Sequence, residues 1–220
     1  MATVGQMANG IIHDIRGPLA AISNAADLIA RADLTPAQRQ VLAQSQVSSS
    51  KRLNAMLGEI LEFSRGDYGL TFSHQNLAAL VDSVIQECIN PQLAPGVKLE
   101  VDVPPNLVVR VDCGRVRRIF QNLLGNSIQA MPRGGTVKVV ARRAGDRVRI
   151  NISDTGSGIP AQLRNRLFEP FVSQGKQGGT GLGLAIARSI AEAHGGSLTL
   201  VSADYQPADF CVELPLETEG

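Results

Sequence analysis

Residues 5–30 read GQMANGIIHDIRGPLAAISNAADLIA, and their apolar side chains recur with the period of a helix. At about 100° per residue, one stripe roughly 80° wide holds Val4, Met7, Ile11, Ile15, Ile22 and Ile29. His13 lies about 180° from the centre of that stripe, so we expect it to face water. The neighbouring Asp14 could hold one ring N–H and so fix the tautomer whose other nitrogen is nucleophilic. An ordinary exposed histidine is the alternative.

Two poor helix formers, Gly17 and Pro18, follow one turn after His13. Pro18 cannot donate a backbone hydrogen bond to residue 14, and its ring crowds that carbonyl, so we expect the helix to bend there. Gly17 lowers the cost of a bend and removes bulk beside His13, because residues four apart are stacked on a helix. The bend would give successive partners room to approach the histidine.

A second helical pattern runs from Gln38 to Ser64, after a break where Asp33 or Thr35 could cap and Pro36 suits a first turn. Its apolar stripe consists of Leu53, Met56, Leu57, Ile60 and Leu61. Two amphipathic helices predict a hairpin, which alone would leave much apolar surface in water. We therefore expect two copies of the chain to form a four-helix bundle in a homodimer.

The pattern changes near residues 66–70. Strand-like alternation appears in VKLEVDV, NLVVRV, GTVKVVARRAGDRVRINISD and GSLTLVSA, with a tight hairpin turn in RRAGDRV. Helical stretches are predicted at 76–90, 113–131 and 181–194. Strands and helices mixed around an antiparallel pair predict an α/β sandwich with helices on one face of a sheet. The predicted organisation is a helical hairpin over residues 1–67 followed by an α/β domain over residues 68–220.

Bulk properties exclude several classes of protein. The formal net charge of +1 gives no reason to expect binding along a nucleic acid. No apolar run reaches the roughly 18 residues of a membrane span, and no signal-peptide pattern is present, so we expect a cytoplasmic chain without membrane contact from this segment. Cys88, Cys113 and Cys211 are odd in number and have no CxxC spacing, which indicates buried free thiols in a reducing compartment.

Three stretches of the second half could bind a nucleotide. DTGSGIP places Asp154 at a strand end, where a buried carboxylate could accept from an amine such as that of adenine. GGTGLGLAIARSI puts glycines at the opening of a helix, whose free N–H groups suit phosphate. QNLLGNSIQAM puts Asn122 and Asn126 on one helix face, where an amide oxygen could bind a phosphate-bridging magnesium ion. Tight turns, packing glycines and a core amide network are the alternatives.

Two sets of motifs resemble a known family. HDIRGPL resembles the phospho-acceptor box of bacterial sensor histidine kinases, written H-[ED]-x-x-[NT]-P-L. The ordered boxes N-L-L-x-N, D-x-G-x-G, FEPF and G-T-G-L-G-L resemble the catalytic domain of those kinases, which shares its fold with gyrase, Hsp90 chaperones and MutL. The resemblance covers nearly the whole chain. It implies a dimerisation and histidine-phosphotransfer hairpin followed by an ATP-binding domain.

The resemblance also implies roles for particular residues. His13 would be phosphorylated, with Asp14 as its hydrogen-bond partner, and Asn126 would hold Mg²⁺ with support from Asn122. Asp154 would bind the adenine amine. The remaining pocket residues would be the adenine-side Gly156 and Gly158 and the triphosphate-side Gly179, Thr180, Gly181 and Gly183. In VSQGKQG, which resembles the mobile lid over ATP, Lys176 could reach a phosphate or remain solvated. Phe168 and Phe171 are expected to pack at the lid.

The same residues favour a kinase over a hydrolase. By the resemblance to gyrase-type ATPases, a glutamate one helical turn before the magnesium asparagine would be the base that activates water. In this chain that position is Asn122, whose amide cannot take a proton. We therefore predict that the chain autophosphorylates His13 from Mg-ATP and passes the phosphoryl group to an aspartate of a response regulator. The alternatives are an ATPase of the same fold and a phosphotransfer scaffold with a vestigial pocket.

Two departures from the family pattern carry further expectations. The family has Asn or Thr four residues after the histidine, where Gly17 stands, so we expect weak phosphatase activity toward the regulator. Gln129 and Ala130 occupy positions where relatives have a basic or aromatic residue, which leaves triphosphate contacts on that side open. The sequence shows neither an upstream sensory domain nor a receiver domain, so we expect the input and the acceptor to lie elsewhere.

Overall fold

The computed structural model describes residues 2–30, 33–65, 69–88, 96–172, 180–201 and 208–216, without the helical side chains of residues 2–11, 13, 14, 62, 63 and 65. The chain divides into two compact units. The first unit comprises residues 1–66 and 169–182, and the second comprises residues 67–168 and 183–220. The predicted boundary at 67/68 remains a prediction.

The first unit contains a hairpin of two long helices, α1 (Ala2–Ile29) and α2 (Pro36–Arg65). Thr35 caps α2: its hydroxyl accepts from the N–H of Gln38 at 3.3 Å, and the Gln38 side chain accepts from the N–H of Thr35 at 2.9 Å. This reciprocal pair is a capping box, and Pro36 needs no N–H partner at the first helical position. The predicted second helix is confirmed, with Thr35 rather than Asp33 as its cap. α1 continues through Pro18, which lies inside the helix.

The two helices pack through part of their predicted apolar stripes. Ala25 of α1 and Met56 of α2 are buried, each 3% exposed, and the Gln46 side chain donates to the carbonyl of Ile22 at 3.2 Å. The α2 stripe is divided, because Leu57 and Leu61 are 49% and 57% exposed. A single hairpin therefore leaves uncovered part of the surface that the sequence marks as apolar.

The second unit combines two sheets with helices. Its elements in chain order are β1 (Ser73–Asn76), α3 (Leu77–Cys88), β2 (Val97–Asp102), β3 (Val108–Val111), α4 (Cys113–Ala130), β4 (Gly135–Ala144), β5 (Arg147–Asp154), α5 (Ala161–Arg164), α6 (Gly183–Ala193), β6 (Ser197–Leu200) and β7 (Asp209–Pro215). The main sheet has the order β2-β4-β5-β7-β6, and β1 pairs with β3 in a separate ribbon. The predicted helices and strands in this half are confirmed.

The β4–β5 pair is the antiparallel hairpin that the sequence predicts. Ala144 pairs with Arg147, which leaves the two-residue loop Gly145-Asp146. Gly145 has φ 66°, a conformation that favours glycine at the first position of a tight hairpin turn. In contrast, β2 pairs with β4 in parallel, because α4 and β3 lie between those strands in the chain and form the crossover.

The core lies between the main sheet and its helices. Alternate residues of β4 and β5 are buried on one face, and the helices pack there through their own apolar faces. The largest fully buried side chains include Phe120 and Leu124 of α4, Ile150 of β5 and Ile186 of α6. The α/β sandwich expected from the sequence is confirmed. Two strands, β1 and β7, were not among those predicted.

The three cysteines are free thiols. Cys211 is buried, but Cys88 and Cys113 are only half-buried, so the expected burial holds for one of the three. Burial, reinforced by Glu213, raises the pKa of Cys211. Burial and the neighbouring Glu87 likewise raise the pKa of Cys88, although Arg117 opposes them.

Candidate functional site

Helix α4 carries both asparagines of the predicted magnesium and phosphate site. It starts after Asp112, whose carboxylate accepts from the N–H of Arg115 at 3.0 Å and from the N–H of Thr71 at 2.9 Å. The first contact is an N-cap hydrogen bond, which fixes where the helix begins. Asn122 and Asn126 follow one turn apart and are both half-buried, at the edge of the helix face that packs on the core.

The amide of Asn122 faces the first residue of α6. A Cβ built on Gly183 would lie 3.3 Å from the Asn122 side-chain oxygen, so glycine gives that amide its space. The Nδ2 atom of Asn122 is buried and has no hydrogen-bond partner among the described residues. Because a helix begins with N–H groups that lack intrahelical partners, this place combines free donors from α6 with a free side-chain donor.

The other end of the site is the carboxylate of Asp154, the last residue of β5, which is 4% exposed. Its Oδ2 accepts from the hydroxyl of Ser127 at 2.9 Å, and its Oδ1 accepts from the N–H of Gly156 at 2.9 Å. Each carboxylate oxygen has two lone pairs, so a carboxylate can accept from several donors at once.

The loop after Asp154 lies directly on the end of α4. The N–H of Ser157 donates to the carbonyl of Ala130 at 3.2 Å. A Cβ on Gly156 would lie 2.7 Å from the Ala130 Cβ, which no side chain could occupy without a shift. Gly158 has φ 70°, a conformation that favours glycine. The glycines of the D-x-G-x-G motif therefore allow a close approach to α4 and a sharp turn, while their predicted approach to a flat ligand ring stays a prediction.

A buried histidine ties the same helix to α6. The Nδ1 atom of His194 lies 2.8 Å from the carbonyl of Ile190, and its Nε2 accepts from the N–H of Asp112 at 3.1 Å. A carbonyl only accepts, so Nδ1 carries the proton and the ring is neutral. The end of α6 is thus bonded to the start of α4. Burial alone would raise the pKa of Asp112, but the N–H groups of Thr71 and Arg115 outweigh it and hold that pKa below its usual range.

Two predicted triphosphate residues belong to the first unit. Gly181 has φ 69°, its carbonyl accepts from the N–H of Phe171 at 3.1 Å, and a Cβ on it would lie 2.7 Å from the Phe171 carbonyl carbon. Thr180 donates its hydroxyl to the carboxylate of Glu59 and accepts from the N–H of Leu182. In the second unit, Phe168 packs edge-on against Phe210 and under Arg188, while the lid that it was expected to anchor lies outside the described residues.

The structure thus brings together part of the predicted site. Within the second unit, α4 contacts Gly183 through Asn122 and Asp154 through Ser127. Lys176 and Gly179 lie outside the described residues. His13 and Asp14 lie in α1, and their side chains are also outside the described part of the structure.

Two residues of this arrangement were missed by sequence reasoning, Ser127 and His194. Ser127 follows Asn126 directly and is 1% exposed. A buried hydroxyl needs a partner, and the partner here is on another element, which no local pattern reveals. His194 is followed by two glycines at the end of α6, a signal for a helix terminus but not for its bond to Asp112.

Acidic, histidine and cysteine side chains are not clustered as metal ligands in the described part of the structure. Within the described ranges there is no group of three or more His, Cys, Asp or Glu side chains that could hold a metal ion. Among the same residues, no helix is both long and apolar enough to cross a bilayer. A cation at α4 would therefore depend on amide oxygens and on oxygens brought by a ligand.

Comparison with known proteins matches both halves of the chain to families. Residues 3–69 match the His Kinase A (phospho-acceptor) domain, and residues 111–218 match the histidine kinase-, DNA gyrase B-, and HSP90-like ATPase. Sensor histidine kinase ZraS of Klebsiella oxytoca is 30% identical over 98% of this chain and 47% of its own length. Alginate biosynthesis sensor protein KinB of Pseudomonas aeruginosa is 34% identical over 93% of this chain and 36% of its own.

A solved structure agrees with these matches. Full-length ShkA in complex with AMPPNP is 29% identical, with a TM-score of 0.70, and the match covers 98% of this chain and 46% of that one. The chain belongs to the sensor histidine kinases and carries their phospho-acceptor and ATPase domains. It spans less than half the length of both of these curated relatives, ZraS and KinB.

Proposed function

We propose that this chain is the kinase core of a two-component system, which phosphorylates His13 from Mg-ATP and passes the phosphoryl group to an aspartate of a response regulator. The observation that carries the proposal is the arrangement on α4. One helix holds an unpartnered amide against the first turn of α6 and, five residues later, a hydroxyl on the buried carboxylate of Asp154. These groups match the phosphate end and the amine of an adenine nucleotide.

The residues present fit a magnesium nucleotide. Asn126 would hold the ion through its amide oxygen, with Asn122, Gly179, Thr180, Gly181 and Gly183 toward the phosphates. A bound magnesium ion neutralises charge on phosphate oxygens. Asp154, Gly156 and Gly158 would surround adenine, and Lys176 could reach a phosphate. Thr180 can take this role only after its hydroxyl leaves the carboxylate of Glu59, because that carboxylate repels phosphate.

Transfer of the phosphoryl group to histidine rather than to water is supported by the residue at position 122, which is not a general base. Asn122 stands where a hydrolase would place a general base, and an amide cannot accept a proton from water at neutral pH. His13, oriented by Asp14, would attack the γ-phosphorus, forming an N–P bond while the P–O bond to ADP breaks. The aspartate of a separate regulator would then accept the phosphoryl group. In this proposal, residues 1–67 form the dimerisation and phosphotransfer domain, and residues 68–220 form the ATP-binding domain.

A homodimer is supported by the apolar surface of the hairpin. The large apolar side chains exposed on α1 and α2 are Ile12, Leu19, Leu28, Val41, Val47, Leu57 and Leu61. A monomeric hairpin would keep them in water, and a second copy would bury those that face it in a four-helix bundle. The cytoplasm, where ATP and response regulators occur, is the compartment that this function requires.

The proposal is tested with ATP labelled at its γ-phosphate. We expect acid-labile, base-stable label on the chain, and no label on His13→Gln. The matched control is His74→Gln, which alters an exposed histidine on β1 and should keep the label. Release of labelled free phosphate without labelled protein would instead identify an ATPase. If neither labelled protein nor free phosphate forms, the chain would be a phosphotransfer scaffold.

A further inference from the structure

The buried hydroxyl of Ser127 is the feature of this chain that the family motifs leave unexplained. Ser127 lies on the core face of α4, directly after the proposed magnesium residue Asn126, and is 1% exposed. A serine inside a helix commonly bonds the carbonyl four residues earlier. This hydroxyl instead bonds Oδ2 of Asp154 at 2.9 Å, across to another element.

The direction of that hydrogen bond is fixed by chemistry. An ionised carboxylate can only accept, so the hydroxyl hydrogen points to Asp154. Oδ1 of the same carboxylate accepts from the N–H of Gly156. The terminal torsion of an aspartate is otherwise broad. Donors on both oxygens therefore restrain the plane of the carboxylate.

The base-side loop is also held to α4 by its backbone. Ser157 donates to the carbonyl of Ala130, and Gly156 approaches Ala130 too closely to admit a Cβ. These contacts hold the loop whether or not residue 127 has a hydroxyl. Loss of the hydroxyl alone would leave the loop in place and remove one of the bonds that hold the orientation of the carboxylate.

We propose that Ser127 is a positioning residue for base selection: it orients the carboxylate of Asp154 toward the 6-amino group of adenine. The proposal rests on the proposed nucleotide site. Ser127 donates to one oxygen, the Gly156 N–H donates to the other, and the adenine amine would donate to the same carboxylate. Ser127 itself makes no contact with the nucleotide.

The test compares two nucleotides that differ only in the 6-amino group, ADP and purine riboside 5′-diphosphate, by calorimetry with magnesium present. Wild-type protein should prefer ADP. Ser127→Ala should weaken ADP binding about tenfold, the cost of a misplaced charge-assisted hydrogen bond, and weaken the other nucleotide less than about twofold. Ser127→Cys, with a weaker donor in nearly the same volume, should bind ADP with an affinity between those of wild type and Ser127→Ala. Ser153→Ala, one residue before Asp154 on the other face of β5, is the matched control and should bind as wild type.

Each other result decides the matter. Equal weakening of both nucleotides by Ser127→Ala would show a structural role and overturn the proposal, and so would unchanged ADP binding. The ratio of the two affinities is measured on folded protein, so a loss of stability in the variant does not imitate a loss of discrimination. Wild-type protein that binds neither nucleotide would overturn the nucleotide site itself, whereas wild-type preference for ADP that survives in Ser127→Ala would overturn only the role of Ser127.

Discussion

Gly156 and Ala130 approach so closely that a Cβ on Gly156 would lie 2.7 Å from the Cβ of Ala130 and 2.8 Å from its carbonyl oxygen. Gly156 lies in the loop after β5 and Ala130 lies in the last turn of α4, and neither residue can move away from the other without a backbone shift. The contact therefore sets the distance between the D-x-G-x-G loop and the helix that carries Asn122 and Asn126.

The first prediction follows from that contact. Gly156→Ala should lower the free energy of unfolding by about 1–3 kcal/mol, as overpacking does, and should weaken ADP binding because the loop carrying Asp154 must move. Denaturant unfolding and calorimetry measure the two effects. The matched control is Gly125→Ala inside α4, where a Cβ meets nothing within 4 Å. It should raise the free energy of unfolding by about 0.5–1 kcal/mol. Equal stability of the two variants would contradict the prediction.

The second prediction concerns the bond between the ends of α4 and α6. His194→Ala removes the acceptor of the Asp112 N–H and the donor to the Ile190 carbonyl, both inside the protein. The free energy of unfolding should fall by about 1–3 kcal/mol, because buried groups lose their partners. His74→Ala, at an exposed histidine on β1, should lose less stability than His194→Ala, because its side chain lies at the surface. A similar loss in both variants would show that the buried bonds contribute nothing specific.

These contacts also show how far the sequence alone can predict the structure. A helical stretch was predicted at 113–131, and α4 is observed over Cys113–Ala130, so the prediction is within one residue at its end. β1 has the polar sequence SHQN, and β7 buries Phe210, Cys211 and Val212 in succession, so neither shows the alternation by which strands are recognised. The Ser127–Asp154 bond joins residues 27 positions apart. Such pairs arise from packing, which no local pattern contains.

The third prediction is a dependence of stability on pH. The pKa of Asp112 is lowered in the folded protein, since burial, which raises it, is outweighed by the N–H groups of Thr71 and Arg115. A lowered folded pKa contributes stability above the unfolded value of about 3.9, and that contribution is lost as pH falls through the folded pKa. Asp112→Asn keeps a capping side chain but cannot ionise. Its stability should therefore fall less steeply than that of wild type below about pH 4. Parallel acid limbs in the two proteins would refute this.

The fourth prediction orders the cysteines by reactivity. Cys211 is buried, and burial together with Glu213 raises its pKa, so the thiolate that reacts with alkylating agents is scarce. Iodoacetamide at pH 7.5 should leave Cys211 unmodified in the folded protein while the half-buried Cys88 and Cys113 react slowly. In denaturant all three should react. Mass spectrometry of the alkylated peptides gives the order, and early modification of Cys211 would show that β7 opens readily.

The last prediction concerns the fate of a phosphorylated regulator. Gly17 lies one turn after His13 in α1; it is exposed, and a Cβ there would meet nothing within 4 Å. An asparagine can therefore be introduced without strain at the position where the family carries the side chain thought to hold the water for dephosphorylation. Gly17→Asn should shorten the lifetime of the phosphorylated receiver and leave labelling of the kinase by ATP unchanged. Gly17→Ala separates the effect of the amide from that of helix propensity, because alanine fills the same space without binding water. If the asparagine variant does not shorten the lifetime, or if wild-type protein already dephosphorylates its regulator quickly, then Gly17 does not explain a weak phosphatase.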